Sequence, residues 1–168
     1  MTIRLRSLRD RLNKQPSETR QTIQRFLTLV EGTGGCVEES EKSLVRLLDE
    51  LAVLVSKLPG DLPFVDSPEA PERDFQSTYS LVAQRFPNFG YYNTVSEISQ
   101  NINSASVVVG DAIDDVTDIF LELREVMWIW ERSGSEAALY QFRETYSNHW
   151  GSHLRELQCY LLAYSRGV

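Results

Sequence analysis

Residues 111–130 read D-A-I-D-D-V-T-D-I-F-L-E-L-R-E-V-M-W-I-W, and residues 136–165 read E-A-A-L-Y-Q-F-R-E-T-Y-S-N-H-W-G-S-H-L-R-E-L-Q-C-Y-L-L-A-Y-S. In the first stretch Ala112, Ile113, Val116, Ile119, Phe120, Leu123, Met127 and Trp130 fall within an arc of roughly 120° when each residue turns the chain by about 100°. In the second, Phe142, Tyr146, Trp150, His153, Leu157, Tyr160 and Tyr164 recur in steps of four and three, again the period of a helix. The pattern predicts one helix over 105–132 and another over 136–165, broken at Ser133-Gly134-Ser135. A break that short makes two long helices antiparallel neighbours. The expected fold is therefore all-α, a single-domain helical bundle closed by a long antiparallel C-terminal helical hairpin.

Working toward the N-terminus, residues 93–104 are polar and carry no clear period, and Phe86, Phe89, Tyr91 and Tyr92 crowd the connection before them. A short helix is expected from about residue 72 to residue 86. Residues 59–71 hold four of the six prolines and read as a loop. Leu44, Leu47, Leu48, Leu51, Leu54 and Leu58 form the stripe of a helix over 37–57, with Glu38, Glu39 and Glu41 in its first turns. Ile23, Phe26, Leu27 and Val30 mark another helix, capped by Ser17 after an expected break at Pro16 and stopped by Gly32, Gly34 and Gly35. The chain divides into a basic N-terminal arm or short helix, residues 1–16, and a bundle domain, residues 17–168.

The 168 residues are 42% hydrophobic and 24% charged, ordinary globular usage that excludes collagen-like and wholly disordered chains. Cys36 and Cys159 stand far apart, in neither a C-x-x-C nor a zinc spacing, so reduced thiols and a cytoplasmic location are expected. No apolar run approaches the roughly 20 residues of a membrane span. The net charge is −7, unevenly spread: residues 1–25 hold seven basic and two acidic groups, while the remainder is at −12. Such an acidic body repels phosphate backbones and argues against nucleic acid as a partner.

Chemistry-bearing motifs are few. Glu31-Gly32-Thr33-Gly34-Gly35-Cys36 lacks the G-K-[ST] of a phosphate loop and is followed by glutamates. Neither cysteine has the context of a nucleophile. The sharpest feature is His149-Trp150-Gly151-Ser152-His153, which puts the only two histidines on one helix face, as in zinc-binding helices. Asp115 and Asp118 of the neighbouring helix are the nearest candidate co-ligands. Against this, Asp111, Asp115, Asp118 and Glu122 lie about 100–160° from Val116 and form a ridge turned from the core. The preferred reading is a solvated acidic ridge and a core His153 hydrogen-bonded for structural reasons, with no cofactor and no committed metal.

The stretches R-F-P-N-F-G-Y-Y (85–92), G-D-A-I-D-D-V-T-D-I (110–119) and H-W-G-S-H-L (149–154) resemble a bacterial helical family catalogued as domain of unknown function 5063. The resemblance covers roughly residues 20–165 and leaves the basic segment 1–14 outside. It implies a bacterial, cytoplasmic, helical protein and supplies no catalytic residues.

The function expected from the sequence is that of a non-enzymatic accessory or protein-interaction domain, binding a protein partner or a second copy of itself. Its candidate contact residues are Asp111, Asp115, Asp118, Glu122, Leu121, Trp128, Phe89, Tyr91 and Tyr92. One alternative is a metal-binding bundle using His149 and His153 with carboxylates of the 111–122 helix. Another is a small-ligand binder built on the 86–92 aromatic loop with Trp150.

Overall fold

A computed structural model describes residues 2–167, with side chains described from residue 15 onward. It is mainly helical: α1 (Thr2–Glu31), α2 (Val37–Ser56), α3 (Phe75–Arg85), α4 (Ala112–Thr145) and α5 (Gly151–Ser165), with a π-helical turn at Tyr146–Trp150 and two strands, β1 (Tyr91–Val95) and β2 (Val107–Asp111). Among the described residues no helix is long and apolar enough to cross a membrane.

The amphipathic stripes form the core. Ile23, Phe26 and Val30 of α1 share one core with Leu44, Leu47, Leu48, Leu51 and Leu54 of α2, Val116, Ile119, Phe120 and Leu123 of α4, and Leu154, Leu157 and Leu161 of α5, α1 packing against α2 and α4, and α5 against α2 and α4. Arg85, at the end of α3, donates to the carbonyls of Leu29 and Gly34 and so ties down the α1–α2 turn. α3 itself starts at Asp74, whose carboxylate accepts from the Ser77 backbone N–H at 3.0 Å.

Three expectations require correction. The break at Pro16 does not occur, because α1 runs through it. An internal proline costs a helix about 3 kcal/mol, and the burial of Thr19, Ile23, Phe26 and Val30 offsets that local cost. The basic side chains of residues 4–14 lie outside the described ones.

The fold is also not purely α. β1 and β2 pair antiparallel, Tyr91 opposite Asp111 through Val95 opposite Val107. The helix expected from residue 105 therefore starts only after Asp111, whose carboxylate accepts from the Ile113 N–H at 2.9 Å. Val107, Val108 and Val109 are β-branched and suit a strand better than a helix, but all three are exposed, so no alternation of buried and exposed residues betrays them. Gly110 is required by this pairing: a Cβ there would lie 2.5 Å from the Tyr92 ring that crosses it.

Finally, the break expected at Ser133-Gly134-Ser135 is present at Gly134, but the helix expected over 136–165 is not continuous. The chain turns at Gly134, at φ 87° and ψ −176°, and helix resumes at once. Residues 146–150 then widen into the π turn. Gly151 makes that turn feasible, since a Cβ there would fall 2.3 Å from the Tyr146 carbonyl oxygen. Trp150, wholly buried, anchors it by donating from Nε1 to the Thr145 hydroxyl at 3.1 Å and packing 5.2 Å from Phe142.

Candidate functional site

The N-terminal half of α4 carries Asp115, Asp118 and Glu122 at helical spacing. The π turn and first turn of α5 carry His149 and His153. The structure presses these two sets together. His153 Nδ1 lies 2.8 Å from Asp115 Oδ1, and His149 Nδ1 lies 3.0 Å from Glu122 Oε1. The ridge expected to face solvent is thus under the C-terminal arm. Asp115 and Glu122 are each only 4% exposed. The reason is that α4 has two covered sides: it packs against α1 and α3 on one and against the C-terminal arm, the π turn and α5, on the other.

Each buried carboxylate has a second partner from a distant part of the chain. The Tyr92 hydroxyl, from β1, donates to Asp115 Oδ2 at 2.5 Å. Arg73, from the segment between the proline-rich loop and α3, donates from Nη1 to Glu122 Oε1 at 2.8 Å and from Nη2 to Glu125 Oε2 at 2.5 Å. Glu125 is in turn held by the Gln141 amide at 3.0 Å. Farther along the stripe, Asp111 accepts from the Tyr79 hydroxyl at 2.8 Å.

The electrostatics follow from these contacts. Burial alone would raise the Glu122 carboxyl, but the hydrogen bonds and charges of Arg73 and His149 hold it below its ordinary value. Hydrogen bonding to Asp115 raises the His153 imidazole above its ordinary value despite partial burial, with the Asp118 charge adding to the rise. Burial and the Asp115 hydrogen bond push the Tyr92 phenol far up, so that it stays a neutral donor. Asp114 is raised by burial and by the neighbouring Asp118 charge.

A carboxylate can only accept a hydrogen bond, so the proton of each imidazole belongs on Nδ1. When either ring is neutral, Nε2 is therefore its lone-pair nitrogen. His153 Nε2 then faces Asp118 Oδ2 at 3.4 Å, and two acceptors this close call for a cation between them, either a proton or a metal ion. Potential ligand atoms of Asp118, His149 and His153 all lie within 4.8 Å of one another. The two rings stand edge to face with centroids 5.0 Å apart. His149 is the more accessible, its side chain 45% exposed against 25% for His153 and 18% for Asp118.

Residues 10–164 match the family model described as "Domain of unknown function (DUF5063)". The chain belongs to the DUF5063 family. The match begins at residue 10, inside the segment that the sequence resemblance had left out. The crystal structure of protein BF1032 from Bacteroides fragilis is similar to this DUF5063 chain, with a TM-score of 0.69 at 15% identity, covering 89% of this chain and 91% of that one. That likeness shows a shared fold. No curated protein matches the sequence.

Several residues expected on a contact surface lie elsewhere. Leu121 is 3% exposed and Phe89 8% exposed, both within the core. Phe89 stacks on Phe86 at 5.1 Å and meets Tyr160 edge-on at 5.8 Å, plugging that end of the bundle. Trp150 is fully buried and offers no platform to a ligand. Tyr91 is 74% exposed, and Trp128 is half-buried beneath the Arg132 guanidinium, 4.2 Å from its ring centroid. Arg73 and Gln141 carry no sequence signal for their roles: Arg73 is 49 residues from the glutamate it pairs with, in a segment without periodicity. The glycine between the two histidines was the one available hint of the π turn.

Proposed function

We propose that this is a metal-binding helical-bundle protein in which His149, His153 and Asp118 hold a divalent transition-metal ion, within a long antiparallel hairpin formed by the two arms of the chain on either side of Gly134. The observation that carries this reading is the pair of Nδ1–carboxylate contacts, His149 with Glu122 and His153 with Asp115. Metal-binding histidines characteristically donate their other ring N–H to a carboxylate, which fixes the tautomer and strengthens the ligating nitrogen. Both histidines here are set up in that way, with Nε2 left for the ion.

Charge supports the same reading. Asp115, Asp118 and Glu122 bring three negative charges, and among the described residues Arg73 is the one arginine paired with them. Glu122 Oε2 is moreover buried without a hydrogen-bond partner. A divalent cation beside these groups relieves the excess. Two histidines and one carboxylate suit zinc, manganese or iron and leave positions for water or a substrate, so an ion here would act as a Lewis acid toward whatever occupies those positions. The interaction reading retains fewer groups than the sequence suggested, chiefly Tyr91 and the half-buried Trp128.

The test is elemental analysis of protein purified without chelator, followed by titration of the stripped protein with Zn²⁺, Mn²⁺ and Fe²⁺. About one equivalent of one metal is expected, lost in His153→Ala and Asp118→Asn variants whose circular dichroism is unchanged. Wild-type protein that takes up none of the three ions, or variants that bind as wild type does, would refute the reading.

A further inference from the structure

A groove with a volume of about 740 Å³ runs between β1 with the turn after it, residues 91–98, and the outer face of α5. That volume lies in the range of small-molecule sites. Its floor is aromatic: the Tyr92 and Tyr160 rings sit 5.1 Å apart, and Val95, Ile98 and Ala163 extend the lining as an apolar strip.

The polar groups of the groove are uneven in sign. Arg155 is the one cation among the described residues that line it, and its guanidinium is tethered by donating to two neutral acceptors, Gln158 Oε1 and the Tyr146 hydroxyl, each at 3.0 Å. Among the described residues Glu97 accepts from the hydroxyls of Ser99 and Ser104 alone. Glu156 is half-buried and has no basic partner among the described residues. It lies close enough to the Tyr92 hydroxyl to oppose its ionisation. With two carboxylates against one guanidinium the described lining is negative on balance, and it sets that charge beside tyrosine faces, which attract cations through their quadrupole.

We propose that this groove binds a small organic ammonium ion, its charged end at Glu156 and the tyrosine rings and its hydrocarbon body along Val95, Ile98 and Ala163. Charge complementarity selects this class. A carboxylate-bearing ligand would add to the excess of Glu97 and Glu156 over Arg155, and a neutral one would leave that excess in place. The site is separate from the histidine cluster but joined to it through Tyr92, whose ring lines the groove and whose hydroxyl holds Asp115. The proposal does not depend on metal binding.

Calorimetric titration with three ligands of matched shape tests it: tryptamine, its uncharged analogue tryptophol, and the anion indole-3-propionate. Tryptamine is expected to bind about tenfold more tightly than tryptophol, and the anion more weakly than either. Glu156→Gln should weaken tryptamine about tenfold while leaving tryptophol unchanged, and Ala163→Trp, which fills the groove from an outward position on α5, should abolish both. Circular dichroism and thermal melting establish that each variant is folded. Absence of tryptamine binding to wild type, equal binding of amine and anion, or indifference of tryptamine to both substitutions would overturn the proposal.

Discussion

Asp115 of α4 and His153 of α5 meet at 2.8 Å, Oδ1 to Nδ1, and the Tyr92 hydroxyl closes on the other carboxylate oxygen at 2.5 Å. A buried carboxylate is tolerated here because donors from two separate parts of the chain satisfy it. The β1–β2 pair is therefore more than an appendage, since it delivers the tyrosine that completes the arrangement.

Tyr92→Phe keeps the ring against Tyr160 and removes only the hydroxyl. It leaves one oxygen of a buried carboxylate without its donor, which costs about 1–2 kcal/mol. Urea denaturation should show a lowered midpoint at unchanged slope. A wild-type midpoint would mean that Asp115 does not depend on this hydroxyl.

His153 provides a pH dependence with a definite sign. Asp115 raises its folded-state value above the ordinary one, so its contribution to stability is fully present below the unfolded value of about 6.5 and is lost as pH rises through the folded value. In chelator-treated protein the thermal midpoint should fall more between pH 6 and pH 8 for wild type than for His153→Gln. Equal falls would show that the Asp115–His153 pair does not favour the protonated ring.

Arg73→Ala strips Glu122 of its strongest donor. The Arg73 side chain is 36% exposed, so the loss should be about 1–2 kcal/mol, below the 3–5 kcal/mol of a wholly buried pair. Combining it with Glu122→Gln should cost less than the two single changes added together, because the stranded charge goes with its partner. A double-mutant cycle with strictly additive costs would count against the pairing.

Gly151→Ala forces a methyl group against the Tyr146 carbonyl. Overpacking of this kind costs about 2 kcal/mol, or roughly 6 °C of Tm for a domain of this size. Because the π turn sets His149 relative to His153, the change should also weaken metal uptake by the stripped protein. Wild-type melting together with wild-type metal uptake would show that the turn tolerates a side chain.

Much of the helical scaffold is legible from periodicity. The stripe Leu44, Leu47, Leu48, Leu51 and Leu54 and the arc from Ala112 to Leu123 are buried where a 3.6-residue period puts them. The second strand escapes such reading because Val107, Val108 and Val109 are all exposed and never alternate. The site escapes it for another reason. Periodicity ranks the faces of one helix by hydrophobicity, and by that measure Asp115 and Glu122 belong outside. It carries no information about a second helix arriving on the polar side with histidines to match.

A mainly helical scaffold and two histidines on one helix face are written in the chain itself, because both depend on spacing within a short stretch of residues. Tertiary structure alone decided that the carboxylates of α4 turn under those histidines, that Arg73 and Tyr92 come from distant segments to hold them, and that a groove opens beside β1. Those are contacts between residues tens of positions apart, and their energies exist only once the core has brought the segments together.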